Sequence, residues 1–335
     1  MTASHTFSPD AGRGISDGRP DESSAATRRR FLQRAAAIGL GAYVLPGSAT
    51  LAADGSQPPE SLAAELYGTL SDAQRRAICL PAGHERRSRI HPNWDITEHA
   101  IGSDFYTVEQ RGLVADVLRG LTTDDGHDRL MRQMDDDSGG WDTYTIALFG
   151  RPGDNRFQLA LTGRHLTLRA DGNRGDRVAF GGPLVYGHGA EGDPADNLFY
   201  PQTVQANRVF ESLDADQRLQ ALRRKPPGER QVAIQGEGGR FPGIAVADLA
   251  DDQRAVFEQT LATLLAPYRE EDAAELRRIV DATGGIEALR MAFYRQGDLG
   301  GDRVWDIWRI EGPSLVWHFR GAPHVHAFVN VAAKV

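Results

Sequence analysis

The chain has 335 residues, of which 40% are hydrophobic, enough for a packed core. Lys and Arg number 38 against 46 Asp and Glu, a formal charge of -8, and the isoelectric point is near 5.7. Such a balance excludes nucleic acid as the expected partner, because phosphate binding needs a basic surface that this composition does not supply.

The first element is an N-terminal targeting segment. Thr27, Arg28, Arg29, Phe31 and Leu32 resemble the twin-arginine export signal, Ser/Thr-Arg-Arg-x-Phe-Leu. An apolar stretch from Ala35 to Leu45 follows, then Pro46 and the small residues Ser48, Ala49, Thr50 and Ala52, which suit signal peptidase. The apolar run is shorter than the roughly 20 residues that span a bilayer. Residues 1–53 are therefore expected to be a signal peptide with a polar extension, and 54–335 a single domain with no stable membrane span. The implied partner is the twin-arginine translocation machinery, which exports proteins already folded, and the implied destination is the periplasm or the medium. One cysteine, Cys79, rules out an intramolecular disulfide, and its place at the end of a helical pattern predicts a buried structural thiol.

Four helix starts follow in chain order: LSDAQR from Leu70, TVEQR from Thr107, LDADQR from Leu213 and LADDQR from Leu249. Each is read as an N-cap oxygen three residues ahead of a Gln that reaches back to the cap. The repetition reads first as convergent capping chemistry and only secondarily as a trace of internal duplication, since nothing around it recurs at a fixed period. Between the helices the period becomes two. Strands are predicted at 143–150, 156–163, 165–170, 303–310, 315–319 and 326–331. Pro152-Gly153-Asp154, Asp171-Gly172-Asn173 and Glu311-Gly312-Pro313 separate them in hairpin style. The middle, roughly 182–245, is richer in Gly and Pro, with GGPLVYGHGAEGDPADN and RRKPPGER as loop material, and Leu249 to Asp281 reads as helix. The fold class is α+β, an antiparallel β-sheet core flanked by helices.

Three of ten histidines stand within nine residues near the C-terminus, in WHFRGAPHVHAFVNV. On a strand His324 and His326 share one face, with Cα atoms about 6.5 to 7 Å apart, so both imidazoles can reach one ion at about 2.0 to 2.1 Å. His318 lies across the intervening turn. In TGRHLTLRA the apolar parity switches after Gly163, which reads as a bulge that aims His165. His188 is flanked by Gly187 and Gly189, which allow close backbone approach. His84, His91, His99 and His127 sit among charged residues and read as surface or capping groups.

GRHLTLR and HVHAFVNV together resemble a family known as domain of unknown function 3500 (DUF3500). That family has a Gly-His-His-Leu-Ser-Leu-Asn strand and a His-Ile-His segment near the C-terminus. Gly163, His165, Leu166, Thr167 and Leu168 match the first motif, and His324, Val325 and His326 the second. Arg164 replaces the first histidine of the pair, and Phe328, Val329 and Asn330 replace the aromatic and acidic residues that follow His-x-His elsewhere. The resemblance spans about residues 60–332 and implies a shared site without naming a reaction.

Two functional readings follow. In the first, His165, His324 and His326 ligate a divalent transition metal, Cu, Fe or Zn, and His318 or His188 is a fourth ligand or a proton-transfer group. The protein is then an exported metalloenzyme for a small-molecule substrate. An oxidoreductase is narrowly favoured over a hydrolase, because no carboxylate is visibly placed as general base, although Glu191 or Asp193 could serve. In the second, the protein is a non-catalytic exported binder of a metal or small ligand, with Trp305, Trp308, Trp317, Tyr186, Tyr200 and Phe319 as its aromatic supply. A serine hydrolase lacks its Gly-x-Ser-x-Gly elbow, and GEGG at 236–239 lacks the strand and lysine of a phosphate loop.

Overall fold

The helix starts carry the capping chemistry their sequences predict, with one exception. Ser71, Thr107 and Asp214 each accept the backbone N–H of the Gln three residues on, whose side chain accepts the cap N–H in return. At the fourth start the cap is Ala250, which has no side-chain oxygen, and only Gln253 reaches back. The computed structural model describes residues 57–332, apart from 155, 172–180, 190–193, 299 and 303. The segment expected to be a signal peptide, Glu191 and Asp193 lie outside the described residues. Among the described residues, no helix is long and apolar enough to cross a membrane.

The elements run α1 (Pro59–Thr69), α2 (Asp72–Ile78), β1 (Cys79–Leu80), α3 (Val108–Gly120), α4 (Asp124–Ser138), β2 (Thr145–Phe149), β3 (Gln158–Gly163), β4 (Leu166–Asp171) and β5 (Gly182–His188). The second half continues α5 (Tyr200–Ser212), α6 (Ala215–Ala221), β6 (Leu222–Arg223), β7 (Ile244–Ala245), α7 (Asp251–Leu265), α8 (Glu270–Asp281), β8 (Arg290–Tyr294), β9 (Ile307–Glu311), β10 (Leu315–Arg320) and β11 (Val325–Val331). The strands form one sheet in the order β1-β2-β3-β4-β5-β11-β10-β9-β8-β6, with β7 beside β8. It is antiparallel except where β1 runs parallel to β2 and β6 to β8. The class is α+β.

Both faces of the sheet are covered. The helices pack on one face, where Leu159, Leu161, Leu166, Leu168, Trp317 and Val329 meet Leu66, Leu118, Phe257 and Leu276 in the main core. The other face lies under two irregular segments, 84–97 and 226–240. Trp94 and Ile96 of the first cover Ala147, Phe149 and Ala160. Val232 of the second covers Val185, Val316 and Phe328. Three threonines on this face are bonded by the segment above them: the N–H of Ile96 donates to Thr145 and Thr162 Oγ1, and the indole N–H of Trp94 to Thr167.

Three expectations are corrected. The parity switch after Gly163 is a two-residue hairpin turn, since Gly163 pairs with Leu166, and the register shift lies instead between Thr167 and Leu168. The stretch GGPLVYGH, expected as loop, contains β5, which is fully buried at the centre of the sheet. Its glycines are there for space, because a Cβ at Gly182 would lie 2.7 Å from the Tyr268 ring. The helix expected over Leu249 to Asp281 is two helices, broken around Pro267. Trp305, which precedes β9, and Trp308, within it, both pack in the main core.

The two halves repeat one plan: two helices, a short parallel edge strand, two helices, then four antiparallel strands. The capping glutamines pair across helices in both halves, Gln74 with Gln110 and Gln217 with Gln253. The second pair lies 143 residues beyond the first (74 to 217, 110 to 253). The central strands β5 and β11 keep the same offset (182 to 325) and pair with each other. The helix starts are thus equivalent positions of a repeated half, a stronger relation than convergent capping.

Candidate metal centre

His165 occupies the second position of the β3–β4 turn with φ of 53°, and is the one described non-Gly residue at positive φ. Its backbone is held from several sides. Its N–H donates to Pro92 O at 2.5 Å, its carbonyl accepts from the Gln133 side chain at 3.0 Å, and the Tyr144 hydroxyl donates to the neighbouring Arg164 carbonyl at 2.6 Å. Gly163 is required because a Cβ there would lie 2.3 Å from the Tyr144 ring. These contacts fix the direction of the imidazole. Gly187 and Gly189 make room for it: a Cβ at either would lie 3.3 to 3.4 Å from His165 atoms, and at Gly189 also 2.7 Å from Asp137 Oδ1.

His324 and His326 come from the start of β11, beyond the turn that contains a cis Ala322–Pro323 bond. Their rings lie 4.7 Å apart by centroid, and His165 lies 5.3 Å from His324 and 4.8 Å from His326. One ligand nitrogen from each falls within 4.8 Å of the others, so three histidines can hold a metal ion. Tetrahedral bonds of 2.0 to 2.1 Å place ligand nitrogens about 3.3 Å apart, close to the 3.0 Å between His324 Nε2 and His326 Nε2.

Two ligands are oriented by carboxylates. Asp137 Oδ2 lies 2.7 Å from His165 Nδ1 while its Oδ1 accepts the Gly189 N–H at 2.7 Å. Glu229 Oε2 lies 3.0 Å from His326 Nδ1 while Oε1 forms a 2.6 Å ion pair with Arg320. Each carboxylate binds the Nδ1 side and leaves Nε2 toward the cluster, the usual arrangement around metal-ligating histidines. Burial raises the carboxyl groups of Glu229 and Asp137, but the histidine hydrogen bonds and neighbouring positive charge outweigh it and hold both below the ordinary range.

The histidine pair is held neutral. Burial first, then His326 and Arg320, pushes His324 down to about 4, and burial and Arg320 lower His326 against the pull of Glu229. His326 donates from Nδ1 to Glu229, so its Nε2 carries a lone pair. Arg320 can only donate, and its guanidinium lies 3.3 Å from His324 Nε2, which must accept. The Nε2 atoms of His324 and His326 lie 3.0 Å apart, a spacing at which one ion could be shared between them.

The remaining candidates stand elsewhere. His188 is on the helix-covered face, where Nε2 meets Asp136 at 2.9 Å and Nδ1 accepts the Leu198 N–H at 3.4 Å. His318 shares the His326 face but lies opposite Phe328, 6.3 Å from that ring, with Nδ1 unbonded. Neither enters the ligand group. The aromatic residues weighed for a binding protein, Trp305, Trp308, Trp317, Tyr186, Tyr200 and Phe319, are all buried. Sequence reading missed Asp137, Glu229 and Arg320, and it set aside His91, which lines a cavity of about 550 Å³ with Pro92, Gly228, Glu229, Arg230 and Gln231. The walls Pro92 and Glu229 are the residues that hold His165 and His326.

A family model described as Protein of unknown function (DUF3500) matches residues 56–331. No curated protein and no solved structure matches the chain.

Proposed function

The chain belongs to the DUF3500 family, and from that premise and the three-histidine cluster we propose that it is an exported metalloenzyme with His165, His324 and His326 as ligands. The observation that carries this reading is the convergence of the three rings, with His324 Nε2 and His326 Nε2 3.0 Å apart and His165 oriented by Asp137. The ion, Cu, Fe or Zn, would supply an open coordination position for redox or Lewis-acid chemistry. The protein's own part is to orient the ligands, lower the basicity of His324 and His326, and present the cluster beside a cavity.

An oxidoreductase is favoured over a hydrolase. A hydrolase wants a free carboxylate as general base, whereas every oxygen of Asp137 and Glu229 is already engaged by His165, Gly189, His326 or Arg320. His188 is assigned a positioning role with Asp136, and His318 a packing role. The N-terminal Arg28-Arg29 pattern supports export by the twin-arginine route to the periplasm or medium. A non-catalytic exported metal binder uses the same cluster and differs only in lacking turnover.

Cobalt titration of metal-depleted protein tests the ligand set. We expect one equivalent of Co²⁺ to develop visible d–d absorption, and Asp137→Asn and Glu229→Gln each to weaken affinity by roughly 10- to 100-fold with the fold intact by circular dichroism. Absence of a saturable Co²⁺ spectrum in the wild type would overturn the reading.

A further inference from the structure

In an acidic chain, one cavity is basic. A space of about 690 Å³ beside the sheet edge is lined by Arg223, Lys225, Arg230, Arg240 and Arg309, against a single acidic residue, Glu311. Its size is that of small-molecule sites. Glu311 is answered within the wall: its carboxylate lies 3.7 Å from Arg309 Nε and accepts from the Gln235 side chain at 2.9 Å. Both Arg309 and Glu311 are 4% exposed, so the pair forms the buried floor. Arg223, Lys225, Arg230 and Arg240 stand exposed at the rim, and among the described residues none forms an ion pair.

A second feature points to a ligand. Tyr294 is 1% exposed and lines the cavity, yet its hydroxyl has no hydrogen-bond partner. A buried hydroxyl without a partner costs free energy unless something else accepts from it. Burial pushes the phenol up to about 12, so it stays a donor at neutral pH. Arginines and one phenol converging on a space walled by Pro226, Pro227, Ala233 and Pro242 suit an oxyanion carried on a small organic body.

This cavity shares Arg230 and Gln231 with the one beside the histidines. One cross-strand row also joins the sites on that face, from Tyr294 through Ile307 and Arg320 to His326. Three strand spacings make that distance about 14 Å. We propose that the basic cavity binds the carboxylate or phosphate groups of an organic anion, whose other end extends along the row to the histidine cluster. Anion binding stands by itself; the extension to the cluster rests on the metal reading. Clefts lined by one sign of charge concentrate such ligands from solution.

The test is calorimetric titration of the metal-depleted mature protein with citrate and with inorganic phosphate. We expect saturable binding of at least one probe, weakened tenfold or more in Arg230→Ala/Arg240→Ala and several-fold in Tyr294→Phe, with folding verified by circular dichroism. Tighter citrate binding assigns carboxylate groups and tighter phosphate binding assigns phosphoryl groups. No saturable binding of either, or equal binding in the double variant, overturns the proposal. Both results are read without metal, so they are separable from failure of the histidine site.

Discussion

Asp135, Asp136 and Asp137 stand in the last turn of α4, which has no basic residue. Negative charge at a helix C-terminus opposes the helix dipole, so the run is locally unfavourable, and two of its members pay that cost in contacts to His188 and His165. That contradiction was a legible signal, and it would have identified the missed carboxylate. The histidine triad itself was legible from alternation and from one parity switch. Glu229 was not, because it comes from an irregular segment whose position depends on packing over β10 and β11. At this scale His318 gives a pH prediction. Burial first, then Arg309 of β9 and more weakly Arg320 and His326, with Glu229 of the covering segment opposing, push its imidazole down to about 3 from 6.5. The unfolded chain therefore binds a proton between those values that the folded chain refuses. Stability is full above pH 6.5 and falls toward pH 3 by up to about 1.4 kcal/mol per unit from this group. Chemical denaturation across pH 4 to 7 should show a shallower acid limb for His318→Leu than for the wild type; parallel limbs would contradict it.

Elements whose pattern expressed local chemistry were readable: three full capping boxes, and strands β2, β3, β4, β10 and β11. Elements defined by burial were not. β5 carries Gly182, Pro183 and Gly187, residues that ordinarily mark loops, and it becomes a central strand because Tyr268, Val325 and His165 occupy the space their missing or small side chains leave. The turn at Arg164–His165 shows the same dependence, with Tyr144 filling the space above Gly163. Gly163→Ala should displace Tyr144, destabilise by about 1 to 3 kcal/mol, and weaken metal binding together with the fold. Thr107→Ala should remove one cap at a cost of about 1 kcal/mol and leave metal affinity unchanged. Thermal melts and Co²⁺ titrations of the two variants separate local support of the site from general stability.

At the scale of the molecule, the two halves share a plan but not a site. In the first half the C-terminal turn of α4 reaches the β3–β4 hairpin through Asp137 and His165. In the second, the corresponding contact between the end of α8 and the β9–β10 hairpin is a 2.7 Å hydrogen bond of Thr283 with Ser314. One hairpin carries an oriented imidazole and the other a neutral hydroxyl pair. The repeat was the lesser reading of the sequence because its period is nearly half the chain and only the capping glutamines keep it visibly. The three histidines that could hold a metal therefore meet at one end of the central β5–β11 seam, where the first half supplies His165 and the second His324 and His326. The direct measurement of that claim is the metal content, by mass spectrometry, of protein exported under its own signal, beside the His324→Ala/His326→Ala variant. The account predicts about one equivalent of Cu, Fe or Zn in the wild type and none in the variant, with both folded. No stoichiometric metal in the wild type, or the same content in both, would contradict it.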